Sequence, residues 1–320
     1  MAAITKTLEF CGLVASTWEE VKPEVIPQIF TITPGMTVFS RKDRIKRQTG
    51  GTAVRVVLDV EENPSVGWVN RDTGTISIEK HDSLTANEYP WSLIAGSVWV
   101  RHKEAVENTG RAQIFELLRA KKDNLRRTMG VKMERALFGS KVVDEPYGLQ
   151  DLVATDPTVG TIGLVNRANS PWFRNKAKDV SARPFSVYGP ADMRWMFTEV
   201  TKFGDISDLV LLCDQDTYNL YNADALEQKQ IVDKALGDIE FQAMAYMGRP
   251  LLWSPLCPAG RMYFLDMAHI WLTVNTECEM EFGQFQSPVD SIDAVAPLLN
   301  ECQFVTDRPG SLGVLFGITE

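Results

Sequence analysis

Apolar and polar residues alternate along residues 50–90 in the way expected of an extended β-hairpin. Residues 52–60 form the first run, which is rich in β-branched side chains, and residues 61–65 give a turn signal. The return strand is expected at residues 66–69 and 75–78. Because an isolated hairpin is only marginally stable in water, this one must pack either on its own domain or on a neighbouring chain.

A single apolar stripe predicts a long, highly charged helix from about residue 104 to residue 138. The stripe consists of positions that recur mostly at steps of four and seven residues: Ile114, Leu118, Leu125, Met129, Met133 and Leu137. At about 1.5 Å per residue the helix would be roughly 50 Å long. Gly110 and Gly130 each weaken it by about 1 kcal/mol, so tertiary contacts must hold it. The stripe is not sustained as heptads, which favours a helix under a sheet over half of a coiled coil.

From residue 189 onward the pattern alternates between amphipathic helices and short apolar strands. Helices are expected at residues 193–203 and 216–232, and strands at residues 208–213, 239–246, 250–253, 261–266, 270–274 and 312–318. Residues 294–305 are expected to be an extended or mixed segment. We place a change of domain near residues 180–190.

Two short segments each leave two interpretations open. Trp172 and Phe173 lie in a glycine-rich polar stretch, where they either anchor a loop to a core or, less favoured, stack on a ligand. The basic run at residues 41–47 is either a solvated face or part of an arm that contacts another subunit or a polyanion.

Composition narrows the class of protein. A net charge of −9 over 320 residues gives no broad basic surface of the kind that drives nucleic-acid binding. The five cysteines are widely spaced without a CxxC pair, which favours inert thiols in a reducing compartment. No segment approaches the roughly 20 apolar residues of a membrane span, and no signal peptide is recognisable. We therefore expect a soluble, cytoplasmically made chain without a membrane partner.

The residues that usually carry catalysis are few and scattered. His81, His102 and His269 have no metal-ligand spacing, and the sequence contains no phosphate-binding loop, dinucleotide fingerprint or nucleophile elbow. Asp290 and Asp293 could share a helical face, but beside Pro288 they are better explained as caps. We expect no catalytic, metal or cofactor site, and hence no enzyme.

Short motifs in a fixed order along residues 50–318 resemble those of one known family. Residues 108–139 look like a spine helix and its end, and residues 147–153 look like the loop after it. The most specific match is GTIG at residues 160–163 together with NSPWFRN at residues 169–175. The remaining motifs are residues 208–221, 248–251, 258–260 and 307–310. The family is the major capsid proteins of tailed bacteriophages, which have the Hong Kong 97-type fold.

The resemblance implies an α+β chain with an arm, an extended loop and two domains. The parts are an N-terminal arm, 1–49; an extended β-hairpin loop over the adjacent subunit, 50–90; a peripheral domain with the long spine helix, 91–188, completed by about 275–306; and an α/β axial domain, 189–274, completed by about 307–320. Members form hexamers and pentamers that tile an icosahedral shell around phage DNA. Such a shell needs large permanent interfaces, to which an extended arm adds reach.

The resemblance also implies partners and contact residues. The partners are further copies of the chain, a scaffolding protein, a portal protein, a decoration protein in some members, and packaged DNA bound without sequence specificity at the inner face. No long segment precedes the arm, which favours a separate scaffolding protein. Assembly would occur in the host cytoplasm and the product would be the virion. The candidate inter-subunit contacts are Arg41, Arg44, Arg55, Val57, Trp68, Arg71, Ile76, Lys80, Trp172 and Arg174.

One feature of the family prototype does not transfer. The prototype joins subunits by a Lys–Asn isopeptide bond with help from a Glu. Lys80 is the only lysine between residues 50 and 90, but Ile292 and Leu299 stand where the Asn and Glu are expected. We therefore predict noncovalent assembly.

Two alternatives to a phage capsid stay open. An encapsulin-like compartment shell would share the fold and package cargo enzymes, although the Trp172-Phe173 loop fits the phage group better. An α/β enzyme or binding domain would account for residues 189–274 but would leave the long arm unexplained.

Overall fold

The structure, a computed structural model of the chain, describes residues 33–60, 66, 68, 84–103, 111–202, 204, 206–225, 244–288 and 293–319. The helices bounded within them are α1 Pro34–Arg41, α2 Arg111–Phe138, α3 Leu149–Leu152, α4 Phe185–Thr201 and α5 Gln215–Ala225. The strands are β1 Ile45–Gln48, β2 Ala53–Asp59, β3 Leu84–Pro90, β4 Ser92–Val100, β5 Thr161–Ile162, β6 Val165–Asn166, β7 Lys176–Asp179, β8 Leu209–Cys213, β9 Met244–Tyr246, β10 Arg249–Trp253, β11 Arg261–Asp266, β12 Ile270–Asn275, β13 Glu281–Phe282, β14 Ala294–Thr306 and β15 Leu312–Phe316.

The first large sheet is built around the 13-residue strand β14. Its order is β1-β12-β14-β13, and β4 pairs with β14 over nine residues from Ser92–Cys302 to Val100–Ala294. Helix α2 packs closely against β4, and a Cβ added at Gly96 would lie 2.6 Å from Leu125 Cδ1. The predicted helix under a sheet is therefore present.

The apolar stripe of α2 is the buried face of the helix. Leu118, Met129, Met133 and Leu137 are all buried, while Leu125 is partly buried. The described helix has 28 residues, which is roughly 42 Å at about 1.5 Å per residue. Residues 104–110, with Gly110, and the side chain of Ile114 lie outside the description.

The second large sheet has the order β7-β15-β11-β8-β10-β9. Strand β8 is buried along its whole length, as its continuous apolar sequence predicts for a central strand covered on both faces. Helix α4 covers one face through Met193, Met196 and Val200. Side chains of the opposite face join the main core, where Tyr263 meets Phe138 of α2 with ring centroids 6.3 Å apart. The two sheets therefore share a continuous core.

Two strands belong to the opposite sheet from the one implied by the domain division that we expected near residues 180–190. Strand β12, expected in the axial part, belongs to the first sheet, where it pairs in parallel with β1 and antiparallel with β14. Strand β7, expected in the peripheral part, belongs to the second sheet through parallel pairing with β15. Strand identity follows from local apolar patterning, whereas sheet membership depends on long-range pairing that the pattern does not encode.

Candidate inter-subunit surfaces

The predicted hairpin exists, but with a different return strand. Strand β2 pairs antiparallel with β3, from Ala53–Pro90 to Asp59–Leu84. Strand β3 therefore occupies the place opposite residues 53–59 in which we expected residues 66–69 and 75–78; of those residues the structure describes Val66 and Trp68 alone. The intervening 24 residues, 60–83, continue from the ends of these two strands, and among them the structure describes Val60, Val66 and Trp68.

One face of the hairpin base is anchored on the chain's own core. Val54, Leu58 and Tyr89 are buried in the main cluster. The Tyr89 hydroxyl donates to the Thr306 carbonyl oxygen at 2.7 Å, and burial raises the pKa of Tyr89 well above its ordinary value. The sequence left open whether the hairpin packs on its own domain or on a neighbouring chain. The base of the hairpin packs on its own domain.

The other face of the hairpin base is exposed. Val57 is 64% exposed, and the Arg55 guanidinium forms an ion pair across the strands with Glu88. Val66 and Trp68 are also exposed. Three candidate contacts, Arg71, Ile76 and Lys80, lie outside the described residues.

The short turn between β5 and β6 contacts strand β3 of the hairpin. The Asn87 Oδ1 atom, fully buried in β3, accepts hydrogen bonds from the Leu164 backbone N–H at 2.8 Å and the Glu88 N–H at 3.0 Å. Leu164 and Gly163 are the two turn residues between β5 and β6. The Gly163 N–H donates to the Tyr147 hydroxyl at 3.1 Å, and the Tyr147 ring meets Tyr89 edge-on. No sequence pattern pointed to Asn87.

Most of the basic run at residues 41–47 is neutralised within the chain. Arg44 and Lys42 form ion pairs with Asp208 at 2.7 and 3.4 Å. The Arg47 guanidinium makes two bonds to Glu279, at 2.6 and 2.7 Å. Arg41 is exposed at the last turn of α1. Because β1 belongs to the first sheet, the run is part of the folded body, and Arg44 is engaged intramolecularly.

Lys46 of the same run lies against an aromatic ring. Its Nζ atom is 3.3 Å from the centroid of the Trp271 ring, and partial burial lowers the pKa of its ammonium group. This contact is a cation–π interaction with the neighbouring strand β12.

The loop with Trp172 and Phe173 is held by buried side chains. Phe173 is fully buried and packs edge-on against Trp172, which remains partly exposed. The Arg174 guanidinium donates to the Arg167 and Ala168 carbonyl oxygens, both at 2.8 Å. Arg167 is itself buried and donates to the Leu152 carbonyl oxygen, and burial lowers its pKa to about 10. Phe173 therefore anchors the loop, and Arg174 stabilises the loop from within.

The outer side of α4 carries exposed aromatic residues that the sequence analysis missed. Tyr188 and Trp195, two helical turns apart, are 45% and 40% exposed. Arg183 lies over the Tyr188 ring at 5.4 Å, and Lys178 lies over the Trp195 ring at 4.7 Å. Aromatic and arginine side chains are enriched at protein interfaces, which makes this side of α4 a candidate contact surface.

A buried carboxylate joins three distant segments, and no sequence pattern indicates it. Glu134 on α2 accepts hydrogen bonds from the Gly35 and Met36 N–H groups, both at 2.9 Å, and from the Ser254 hydroxyl at 2.8 Å. It caps the first turn of α1, whose amide groups have no partner within that helix. Burial raises the pKa of Glu134 and outweighs these hydrogen bonds, which lower it.

The described residues contain no group of three or more His, Cys, Asp or Glu side chains that could hold a metal ion. Cys213, Cys257 and Cys302 are buried, and burial raises the pKa of each thiol, which leaves them in the unreactive form. Across the described helices, none is long and apolar enough to cross a membrane.

No protein-family profile and no curated protein matches this sequence. Solved structures do match the fold. The cyanophage A-1(L) capsid asymmetric unit has a TM-score of 0.64 at 15% identity, covering 90% of this chain and 93% of that chain. The capsid of the native GTA particle has a TM-score of 0.58 at 12% identity, covering 88% and 91%. The holo encapsulin complex from Synechococcus elongatus has a TM-score of 0.54 at 16% identity, covering 92% and 90%.

At these identities the likeness establishes the fold. The chain has the Hong Kong 97-type fold, and the resemblance that the sequence motifs carry is confirmed at that level. The same fold is found in a virus shell and in an encapsulin, so the comparisons alone do not separate these two uses.

Proposed function

We propose that this chain is the major capsid protein of a tailed bacteriophage or prophage. It assembles into hexamers and pentamers that form an icosahedral shell around DNA, and the contacts between its copies are noncovalent. The observation that carries the proposal is the extent of the fold likeness, about nine tenths of this chain and of each shell protein compared.

The parts of the chain take the roles that the fold suggests. Residues 1–49 are the arm, although residues 45–48 also form a strand of the first sheet. Residues 50–90 are the loop that contacts the next subunit through the exposed face with Arg55 and Val57 and through Trp68. The first sheet with α2 forms the peripheral domain. The second sheet with α4 forms the axial domain, and the aromatic side of α4 faces a neighbour in the capsomer.

The proposed partners follow from this role. Copies of the chain meet one another, a scaffolding protein guides assembly, and a portal protein occupies one vertex. Packaged DNA lies at the inner face without sequence-specific contacts, and the shell is built in the host cytoplasm. Since Lys42, Arg44 and Arg47 are neutralised within the chain, we do not assign the DNA contact to them.

An encapsulin-like shell is the second candidate, because the Synechococcus encapsulin has the same fold over about nine tenths of both chains. The contents of purified shells separate the two. Shells isolated from the native source should hold nuclease-protected double-stranded DNA and no stoichiometric cargo enzyme. Shells filled with one protein of another sequence, and free of DNA, would favour the compartment.

The shell should contain no covalent links between subunits. Leu299 cannot assist an isopeptide bond, and its backbone lies in β14 between β4 and β13. Purified shells boiled in detergent should therefore run as one band near 35.8 kDa. A ladder of dimers and higher multimers that survives reduction would contradict this prediction.

A further inference from the structure

The β2–β3 hairpin is not held to the body of the chain by sheet hydrogen bonds. Its two strands form a sheet of their own and join neither large sheet. The apolar contacts of Val54 and Leu58 keep the hairpin on the core. Burial of apolar surface is non-directional, so these contacts leave the angle of the hairpin poorly fixed.

Directional contacts to the hairpin come from two places. Strand β14 bonds the end of β3 through the Tyr89 hydroxyl to the Thr306 carbonyl oxygen and through the Gln303 amide to the Pro90 carbonyl oxygen. The β5–β6 turn bonds β3 further along the strand, at Asn87. Its Oδ1 atom receives the Leu164 N–H at 2.8 Å, and Asn87 is completely buried. A buried acceptor cannot exchange this bond for one to water, so breaking it costs the full desolvation of the groups involved. This hydrogen bond, from the Leu164 backbone N–H to the Asn87 side chain, fixes β3 against the β5–β6 turn.

The backbone conformation of the turn that supplies this N–H requires a glycine at position 163. Gly163 has φ +59° as the first of two turn residues, which suits a type II′ hairpin turn. A Cβ at this position would lie 2.2 Å from the Glu88 carbonyl oxygen and 2.3 Å from Asn87 Oδ1. The turn thus touches the backbone of β3 directly.

The β5–β6 turn is itself held in place by buried residues and hydrogen bonds. Ile162 and Val165, which flank it, are buried in the main core. The Arg167 N–H donates to the Gly160 carbonyl oxygen at 3.0 Å, and its guanidinium to the Leu152 carbonyl oxygen at 2.8 Å. The turn can therefore hold β3 in place.

We infer that Asn87, Gly163 and Leu164 form a clamp that sets the direction in which the hairpin leaves the domain, and so where residues 60–83 meet the next subunit. The inference rests on the proposed shell function. Residues 60–83 begin and end at this hairpin, so the direction of the hairpin sets where that segment starts.

The test compares variants of the full chain in assembly and in hairpin orientation. Asn87→Ala removes the acceptor and Gly163→Ala forces the turn away from β3. Both should reduce the yield of closed shells at least tenfold while the unassembled subunit stays folded. Asn87→Asp, which keeps the acceptor oxygen, should restore shells to within about threefold of wild type. The matched control is Val54→Ala, which removes a buried apolar contact of the same hairpin and should lower Tm without lowering shell yield.

Orientation is measured on unassembled protein by electron–electron double resonance between spin labels at positions 57 and 187, both exposed and both outside the clamp. The distance distribution should be narrow in the wild-type and Val54→Ala backgrounds and at least twice as wide with Asn87→Ala. Unchanged distributions in the clamp variants would overturn the inference, as would an equal loss of shells in Val54→Ala. A wild-type chain that forms no shells refutes the proposed function, and the label distances then still decide on the clamp.

Discussion

A subunit that lacks residues 61–82 should fold normally and fail to close into shells. Asp59 and Leu84 face each other at the end of the hairpin base, so a short turn joined through residues 60 and 83 can continue their register. An inserted Asn-Gly pair can close this shortened hairpin as a type I′ turn. The design keeps Leu58 and Val60 on the main core, and Tm should remain within about 5 °C of wild type.

Shell yield is the decisive measurement for this deletion. The removed segment is the part of the loop proposed to lie on the adjacent subunit, and its loss takes away Trp68 and all contacts that follow it in the loop. Electron microscopy should show capsomers or monomers and no closed shells. The matched control inserts Asn-Gly between residues 70 and 71 without deleting anything, and it should still assemble. Closed shells from the deletion variant would contradict the assembly role of the loop.

Replacing Glu134 with alanine should destabilise the subunit by about 3–5 kcal/mol, because three buried donors lose their acceptor. The donors are the Gly35 and Met36 N–H groups and the Ser254 hydroxyl. The free energy of unfolding from urea titration measures the loss. The control is Glu279→Ala, which removes an exposed ion pair with Arg47 and should cost less than about 1 kcal/mol. Equal losses in the two variants would show that the buried carboxylate has no special role.

The pH dependence of Glu134 has a definite sign. Burial raises the pKa of Glu134 in the folded chain above its ordinary value of 4.5. The resulting stabilisation is fully present below the unfolded-state pKa and is lost as pH rises through the folded-state pKa. Relative to Glu134→Gln, which does not titrate, the wild-type chain should therefore lose free energy of unfolding as pH rises from about 4.5. A difference that grows with pH would contradict the raised pKa.

Elements with strong local patterns were predicted well from the sequence. Strand β11 has the predicted bounds, and β8 and β10 differ from theirs by a single residue. The stripe of α2 faces the core as expected, because apolar spacing along a helix determines its buried face directly. Asp214 caps α5 by accepting from the Thr217 N–H and hydroxyl.

Long-range pairing was not predictable from the sequence. The partner of β2 is separated from it by 24 residues, and two nearer β-like runs competed for the same place. A deletion placed by the sequence pattern alone, over residues 55–78, would have removed the core residue Leu58. Asn87 and Glu134 act through partners 77 and about 100 residues away, which no local spacing reveals.

The most direct test of the proposed function is cryo-electron microscopy of the expressed chain, alone and together with the products of its neighbouring genes. The account predicts closed icosahedral shells in which hexamers and pentamers are resolved, with residues 60–83 of each subunit in contact with the next. Compact monomers under both conditions, at every concentration examined, would contradict it.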